Sequence, residues 1–225
     1  MISFDGFLSY NIWDHSPTVT DLYTRRILQD VEEMTCAAQA AELVKNLIIP
    51  KDTLLDVGCA TGYFFQSLAQ RNIPVEYYGI DATARFIDIG RSLLPSFGLP
   101  SERLCVGRIE DMNGQFDHIV CMNVLSNLDN YHRPLERMLN MARKSVILRE
   151  SIKDGSEYRY VVDKYLDTSR PLRVYVNAYD RNEVCSFARE LGFATKETID
   201  QRTGGRAELV IDYPHYWTFL IMQRL

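Results

Sequence analysis

The chain has 225 residues, 46% hydrophobic and 24% charged, with a formal net charge of −5. That balance suits a single globular domain that can bury a core without cross-links, and it argues against a broad phosphate-binding surface. No apolar run approaches the roughly 20 residues a membrane helix needs, and the opening MISFDGFLSYNIWDHS has no basic segment, so neither a membrane span nor a secretory signal is expected.

Residues 1–19 are aromatic and irregular. From Thr20 to Leu47 the composition predicts one helix. Gly and Pro are missing, Leu22, Ile27, Val31, Met34 and Ala38 recur at helical spacing, and Pro50 ends the run. Strands and helices then alternate. TLLDV (53–57), VEYYGI (75–80), RLCVG (103–107), FDHIVCMNV (116–124) and SVILRE (145–150) read as strands. GYFFQSLAQR (62–71), ARFIDIGRSLL (84–94) and RPLERMLNMAR (133–143) read as helices. This rhythm predicts a parallel sheet covered by helices.

After Glu150 the rhythm breaks, and 151–179 resists assignment. DRNEVCSFARELG (180–192) has the form of a helix capped by Asp180 and closed by Gly192. FATKETI (193–199) and HYWTFLIMQ (215–223) read as two last strands that pair antiparallel, with a turn over 202–208 between them. Cys36, Cys59, Cys105, Cys121 and Cys185 are odd in number, widely spaced and free of any C-x-x-C. Free thiols in a reducing, cytoplasmic setting are expected, with no metal site.

The informative stretch is LLDVGCATGYFF, residues 54–65. In an open parallel sheet, ligands bind beyond the carboxyl ends of the strands. Asp56 sits there, followed by a turn in which Gly58 and Gly62 admit close backbone approach. A carboxylate and the amides of 58–62 together would suit a ligand carrying both an ammonium and a carboxylate. Asp81 ends the next strand, where an acidic side chain can accept both ribose hydroxyls. GRIEDM (107–112) brings Glu110 and Asp111 toward an adenine edge. A dinucleotide fingerprint would need glycines where Ala60 and Tyr63 stand, and no P-loop is present. An adenosine ligand without phosphates remains.

LLDVGCATGYF, YYGIDAT, GRIEDM and FDHIVCMNVLSNL, in that order, resemble the class I S-adenosylmethionine-dependent methyltransferases. The resemblance covers roughly residues 50 to 150. It implies an α/β fold: a doubly wound, mostly parallel seven-stranded sheet, Rossmann-like, with an antiparallel last strand. It implies S-adenosylmethionine as cofactor. Asp56 would support its ammonium, and Gly58, Cys59 and Gly62 would line its amino-acid portion with backbone. Asp81 would take the ribose hydroxyls and Ala82 would pack near the adenine. Ile109 and Glu110 would lie at the adenine edge, where Arg108 departs from the family's usual Asp. Met122 and Asn123 would face the sulfonium.

The cofactor carries the difficult chemistry, so no catalytic side chain is obligatory. MNVLSN replaces the family's [DN]-P-P-[YF], which argues against methylation of an exocyclic amine. Asn127 stands where small-molecule members often carry His. One domain over 1–225 is expected, with 1–49 as a lid and 151–179 as an insertion that shapes the acceptor pocket. Trp13, His15, Tyr23 and Asn127 are the candidate acceptor contacts. Aromatics and a few cations in these segments, Arg173 among them, suit a polar or anionic small molecule such as a sugar derivative. Nucleic acid and membrane are not expected as partners. The alternatives are a non-catalytic S-adenosylmethionine-binding module, an RNA or protein methyltransferase, and a nicotinamide-dependent oxidoreductase. His132 and His215 read as packing residues, as do the cysteines.

Overall fold

The computed structural model describes residues 11–165 and 172–225. A 3-10 turn over Ile12–His15 leads into α1 (Pro17–Ile27), where Ser16 caps the helix by accepting from the Val19 amide and Pro17 fills the first turn. The single helix expected over 20–47 is two. The chain leaves α1 at Leu28, Gln29 adopts φ 61°, and α2 runs from Thr35 to Lys45. The reason is tertiary. α1 lies against α4 (Ala84–Leu93) and α2 against α3 (Phe64–Gln70), so the path must turn between them. Gln66 fixes the turn, donating to the Ile27 carbonyl at 3.0 Å and accepting from Gln29 at 3.0 Å.

The strands are β1 (Thr53–Val57), β2 (Glu76–Asp81), β3 (Leu104–Val106), β4 (Phe116–Met122) and β5 (Ala142–Lys153), with α5 (His132–Met141) before β5. Next come β6 (Tyr160–Asp163), β7 (Leu172–Tyr175), β8 (Tyr179–Asp180), α6 (Arg181–Glu190) and β9 (Phe193–Ile199). β10 (Glu208–Val210), β11 (Tyr213–His215) and β12 (Trp217–Arg224) close the chain. The main sheet has the order β3-β2-β1-β4-β5-β12-β9, and β8 adds two residues beside the end of β5. β12 runs antiparallel to both neighbours, the reversal expected from the sequence. Asp180 caps α6 by accepting from the amides of Asn182 and Glu183.

Alternate residues divide the core between the two faces. Leu55, Val57, Ile119, Cys121 and Leu148 pack with Leu135, Met138 and Leu139 of α5. Leu54, Val120, Ile147 and Phe219 pack with Ile27, Ala37, Ala41, Phe64 and Ile87 of α1 to α4. Each buried aliphatic side chain of this size contributes about 1.5–3 kcal/mol relative to exposure. The strand order reverses between β1 and β4, the place beyond whose carboxyl ends open α/β sheets bind their ligands.

The stretch 151–179 that resisted assignment extends β5, then forms the β6–β7 hairpin. The hairpin does not stand alone. Val174 and Val176 form a small core with Ile12, against which Trp13, Val161, Ile211 and Tyr213 pack. The N-terminal turn, the hairpin and the β10–β11 hairpin thus share one apolar cluster. At the opposite end of the sheet, His118 bonds Asp52 at 2.9 Å and Ser145 at 2.8 Å, all three buried. Burial opposes ionisation of Asp52, but Lys144, the Ile49 amide and His118 hold its carboxyl down at about 2. Among the described residues no helix is long and apolar enough to cross a membrane.

Candidate functional site

β1 and β2 pair in parallel with Asp56 opposite Gly79 and Val57 opposite Ile80, so Asp56 and Asp81 stand at neighbouring strand tips. Asp56 is buried on the face of Leu54. The Tyr77 hydroxyl donates to one of its oxygens at 2.7 Å. Burial, countered by that hydroxyl and reinforced by the charge of Asp81, raises its carboxyl from 3.8 to about 7. Asp81 accepts from the amides of Ala60 and Thr83, each at 2.8 Å and each on a different oxygen. Burial also raises Asp81, against the pull of those two amides.

The glycine turn is built differently from the expectation. The amides of Gly58 and Cys59 both donate to the Ile80 carbonyl, that of Ala60 to Asp81, and that of Gly62 to the Cys59 carbonyl. They are not free to cradle a ligand carboxylate, because the turn is folded onto the tip of β2. A Cβ on Gly58, whose φ is +71°, would meet a Val124 methyl at 2.3 Å. On Gly62, with φ +78°, it would be wedged against Leu94 and Leu104 at 3.0–3.1 Å. These glycines therefore answer to backbone conformation and to packing beneath the turn. The Cys59 side chain points down at Gly79 and is buried, so Cys59 offers only backbone to a ligand.

The N-terminal segment covers this turn. Asn11 donates to the Thr83 hydroxyl at 2.7 Å, beside Asp81. Tyr23 stacks on Tyr63 at 5.6 Å and meets Phe86 edge-on at 5.3 Å, and the Arg26 guanidinium lies over both tyrosines. Tyr23 thus belongs with the glycine turn. Trp13 sits in the apolar cluster of the hairpins, and His15 closes the N-terminal turn, its side chain lying outside what is described. Ala82 is exposed after β2, Ile109 is buried, and Glu110 lies half-buried on a 3-10 turn beside it.

Met122 and Asn123 follow β4. Asn123 adopts φ 60°, donates its amide to the Arg149 carbonyl at 2.8 Å, and takes the Arg149 guanidinium on its side-chain oxygen. Asn127 donates to the Asn123 carbonyl at 2.8 Å, tightening the loop. Glu150, fully buried, accepts from the amides of Val124, Leu125 and Ser126 at 2.8–3.0 Å. Asn177 ties the insertion to the same loop, donating to the Leu128 carbonyl at 2.7 Å and accepting from the Arg159 amide at 2.9 Å. Sequence reasoning passed over Arg149 and Glu150. Their signal was two charged residues closing an apolar strand, SVILRE, the same signal that singled out Asp56.

The arrangement fits an adenosine sulfonium. The Asp81 carboxylate has about four acceptor sites, and after the two amides and the Thr83 hydroxyl it keeps acceptor capacity for a ribose hydroxyl. Asp56 has no Arg or Lys beside it among the described residues, and a ligand ammonium would offset its burial.

The family described as methyltransferase domain matches residues 55–147. Over 83 residues the chain is 32% identical to the mitochondrial ubiquinone biosynthesis O-methyltransferase of Saccharomyces cerevisiae, covering 36% of this chain and 26% of that protein. Over 119 residues it is 28% identical to the ribosomal RNA small subunit methyltransferase C of Klebsiella pneumoniae, covering 52% of this chain and 32% of that one. The matched stretches therefore span about a quarter to a third of these relatives. In fold the chain is similar to the magnesium protoporphyrin IX methyltransferase of Synechocystis PCC 6803, solved with bound SAH, with a TM-score of 0.61 at 16% identity over 92% of this chain and 95% of that one.

Proposed function

We propose that the chain is a class I S-adenosylmethionine-dependent methyltransferase, a reading supported by the matching methyltransferase-domain family and the shared fold, and that it transfers a methyl group from S-adenosylmethionine to a small polar acceptor. The observation that carries the reading is the pair of acids at adjacent strand tips, Asp56 buried and Asp81 half-buried, the latter holding the Ala60 amide of the glycine turn, and neither paired with a cation among the described residues. Bound S-adenosylmethionine supplies a methyl carbon already activated by its sulfonium. The residues of the chain hold and orient. Asp81 receives the ribose hydroxyls, Asp56 the ammonium, and Ala82, Ile109 and Glu110 border the adenine. Alignment of this kind can lower a barrier by about 7–11 kcal/mol without a general base.

The acceptor would enter above Met122 and Asn123, between the N-terminal turn and the 151–179 insertion. Support for this comes from the shared cluster of Ile12, Trp13, Val174 and Tyr213 and from the Asn177 bonds, which fix both segments over the loop after β4. The five cysteines are free, which suits a reducing compartment such as the cytoplasm.

Calorimetric titration with S-adenosylmethionine, its demethylated product and NAD tests the reading. Binding of the first two and not the third is expected, followed by methyl transfer to a member of a polar metabolite panel. Binding with turnover only on RNA would move the protein to the nucleic-acid methyltransferases. Binding with no turnover would leave a regulatory module.

A further inference from the structure

Two guanidinium groups near the tips of β5 and β12 have buried nitrogens with no partner among the described residues. Arg149 is 2% exposed. Its Nε donates to Asp200 at 2.7 Å, its Nη1 to Asn123, and its plane lies 4.5 Å from the Trp217 ring. Its Nη2 is buried without a partner. Arg159, at the foot of the β6–β7 hairpin, pairs with Glu157 and lies 5.4 Å from the Tyr213 ring, and its Nη1 is likewise buried without a partner.

One face of the chain connects them. Tyr213, His215 and Trp217 are alternate residues of extended backbone, so their side chains share a side. His215 is buried, with its ring 4.8 Å from Trp217. Arg159 stands at the Tyr213 end of this row and Arg149 at the Trp217 end. Burial lowers the His215 pKa, and the charges of both arginines lower it further, against Glu208 and the Tyr213 carbonyl. The row therefore sets the His215 imidazole between two guanidinium groups.

A buried donor left unbonded costs about 1–3 kcal/mol, and more when charged. Natural folds seldom leave such groups unless a ligand or water satisfies them. The carboxylates nearby are already engaged. Asp200 takes Arg149 on one oxygen and the Thr203 amide and hydroxyl on the other, and Glu208 takes the Trp217 indole and Arg202. Unfilled guanidinium N–H groups call for oxygen acceptors, and an oxyanion fits their fork best.

We propose that the methyl acceptor carries an oxyanion, a carboxylate or a phosphate, bound by Arg149 and Arg159 along the Tyr213–His215–Trp217 face. This rests on the reading of the protein as a methyltransferase. Asn123 follows β4 and holds Arg149, so the oxyanion is anchored next to the loop where the methyl group is transferred. Arg149 and Arg159 are binding residues, and specificity for a charged over a neutral acceptor is their consequence.

The test uses the whole chain and inorganic phosphate or acetate as probes, at constant ionic strength against chloride. In wild type, a probe at ten times its dissociation constant should raise the melting temperature by about 3–6 °C. Arg159→Gln, at the less buried of the two arginines, should abolish the rise. Arg149→Lys, which keeps a charge for Asp200 but loses the fork, should weaken it at least tenfold. Arg85→Gln, on the exposed side of α4, should leave it intact. A response to phosphate alone or to acetate alone selects the oxyanion. No rise in wild type, or an equal rise in folded Arg159→Gln, overturns the proposal. Loss of S-adenosylmethionine affinity in Arg159→Gln would also overturn it, by assigning the guanidinium to the cofactor. Failure of wild type to bind S-adenosylmethionine, with the oxyanion response preserved, would sink the methyltransferase reading and leave an oxyanion site.

Discussion

Asp56→Asn should remove a loss of stability that the wild type suffers as pH rises toward neutrality. In the fold the Asp56 carboxyl is raised from 3.8 to about 7, chiefly by burial. Between those values the native state holds a proton that the unfolded chain has released. Stability therefore falls as pH rises through the window and levels off above the folded value. About two pH units separate pH 5 from that value. At about 1.4 kcal/mol per unit, wild type should lose about 3 kcal/mol relative to the variant between pH 5 and pH 8. Asparagine keeps an oxygen for the Tyr77 hydroxyl, so the comparison isolates the charge. Asp81 and Glu150, also raised by burial, titrate in both proteins and largely cancel. Urea denaturation at the two pH values measures the difference. Parallel pH dependence in the two proteins would refute the reasoning. The same proton links to the cofactor. A ligand ammonium beside Asp56 favours its ionised form, so S-adenosylmethionine should bind wild type more tightly above neutrality than below. Asp56→Asn should flatten that profile.

Gly58→Ala combines a left-handed backbone, costing about 1–2 kcal/mol, with a Cβ 2.3 Å from a Val124 methyl. Overpacking adds about 1–3 kcal/mol. In a denaturation cycle Val124→Ala should recover the second part only, and strictly additive losses would contradict this contact. Asp81→Asn sets a side-chain N–H2 against one of the amides of Ala60 and Thr83, so calorimetry should find S-adenosylmethionine binding weakened at least tenfold. Unchanged affinity in the folded variant would count against the ribose assignment. Glu150→Ala leaves three amides of the 124–126 loop unbonded, those of Leu125 and Ser126 buried and that of Val124 partly so. It should lower stability by about 3 kcal/mol, with faster hydrogen exchange at Val124, Leu125 and Ser126, and unaltered exchange there would show that the loop holds itself.

The amino-acid sequence by itself determined what depends on near neighbours. Apolar runs and their spacing marked β1, β2, β4, the core of β5 and β9, and the cap at Asp180 marked α6. A carboxylate two residues before a glycine turn marked the site, because that turn and both its flanking elements lie within one short stretch of chain. The tertiary structure alone decided what depends on distant partners. Helical composition runs unbroken through Leu28–Met34, and the break there exists because α1 and α2 pack on different helices. The β6–β7 hairpin has apolar residues, but the partners that cover Val161 and Val174 are Ile12, Trp13, Ile211 and Tyr213, from both ends of the chain. The turn amides went to Ile80 and Asp81 instead of toward a ligand, a choice set by β2 lying against β1. Arg149 could not be read from its neighbours, since Asp200, Asn123 and Trp217 surround it only once β4, β5 and β12 lie side by side, and an unfilled hydrogen bond is visible only when every other bond in its surroundings has been made.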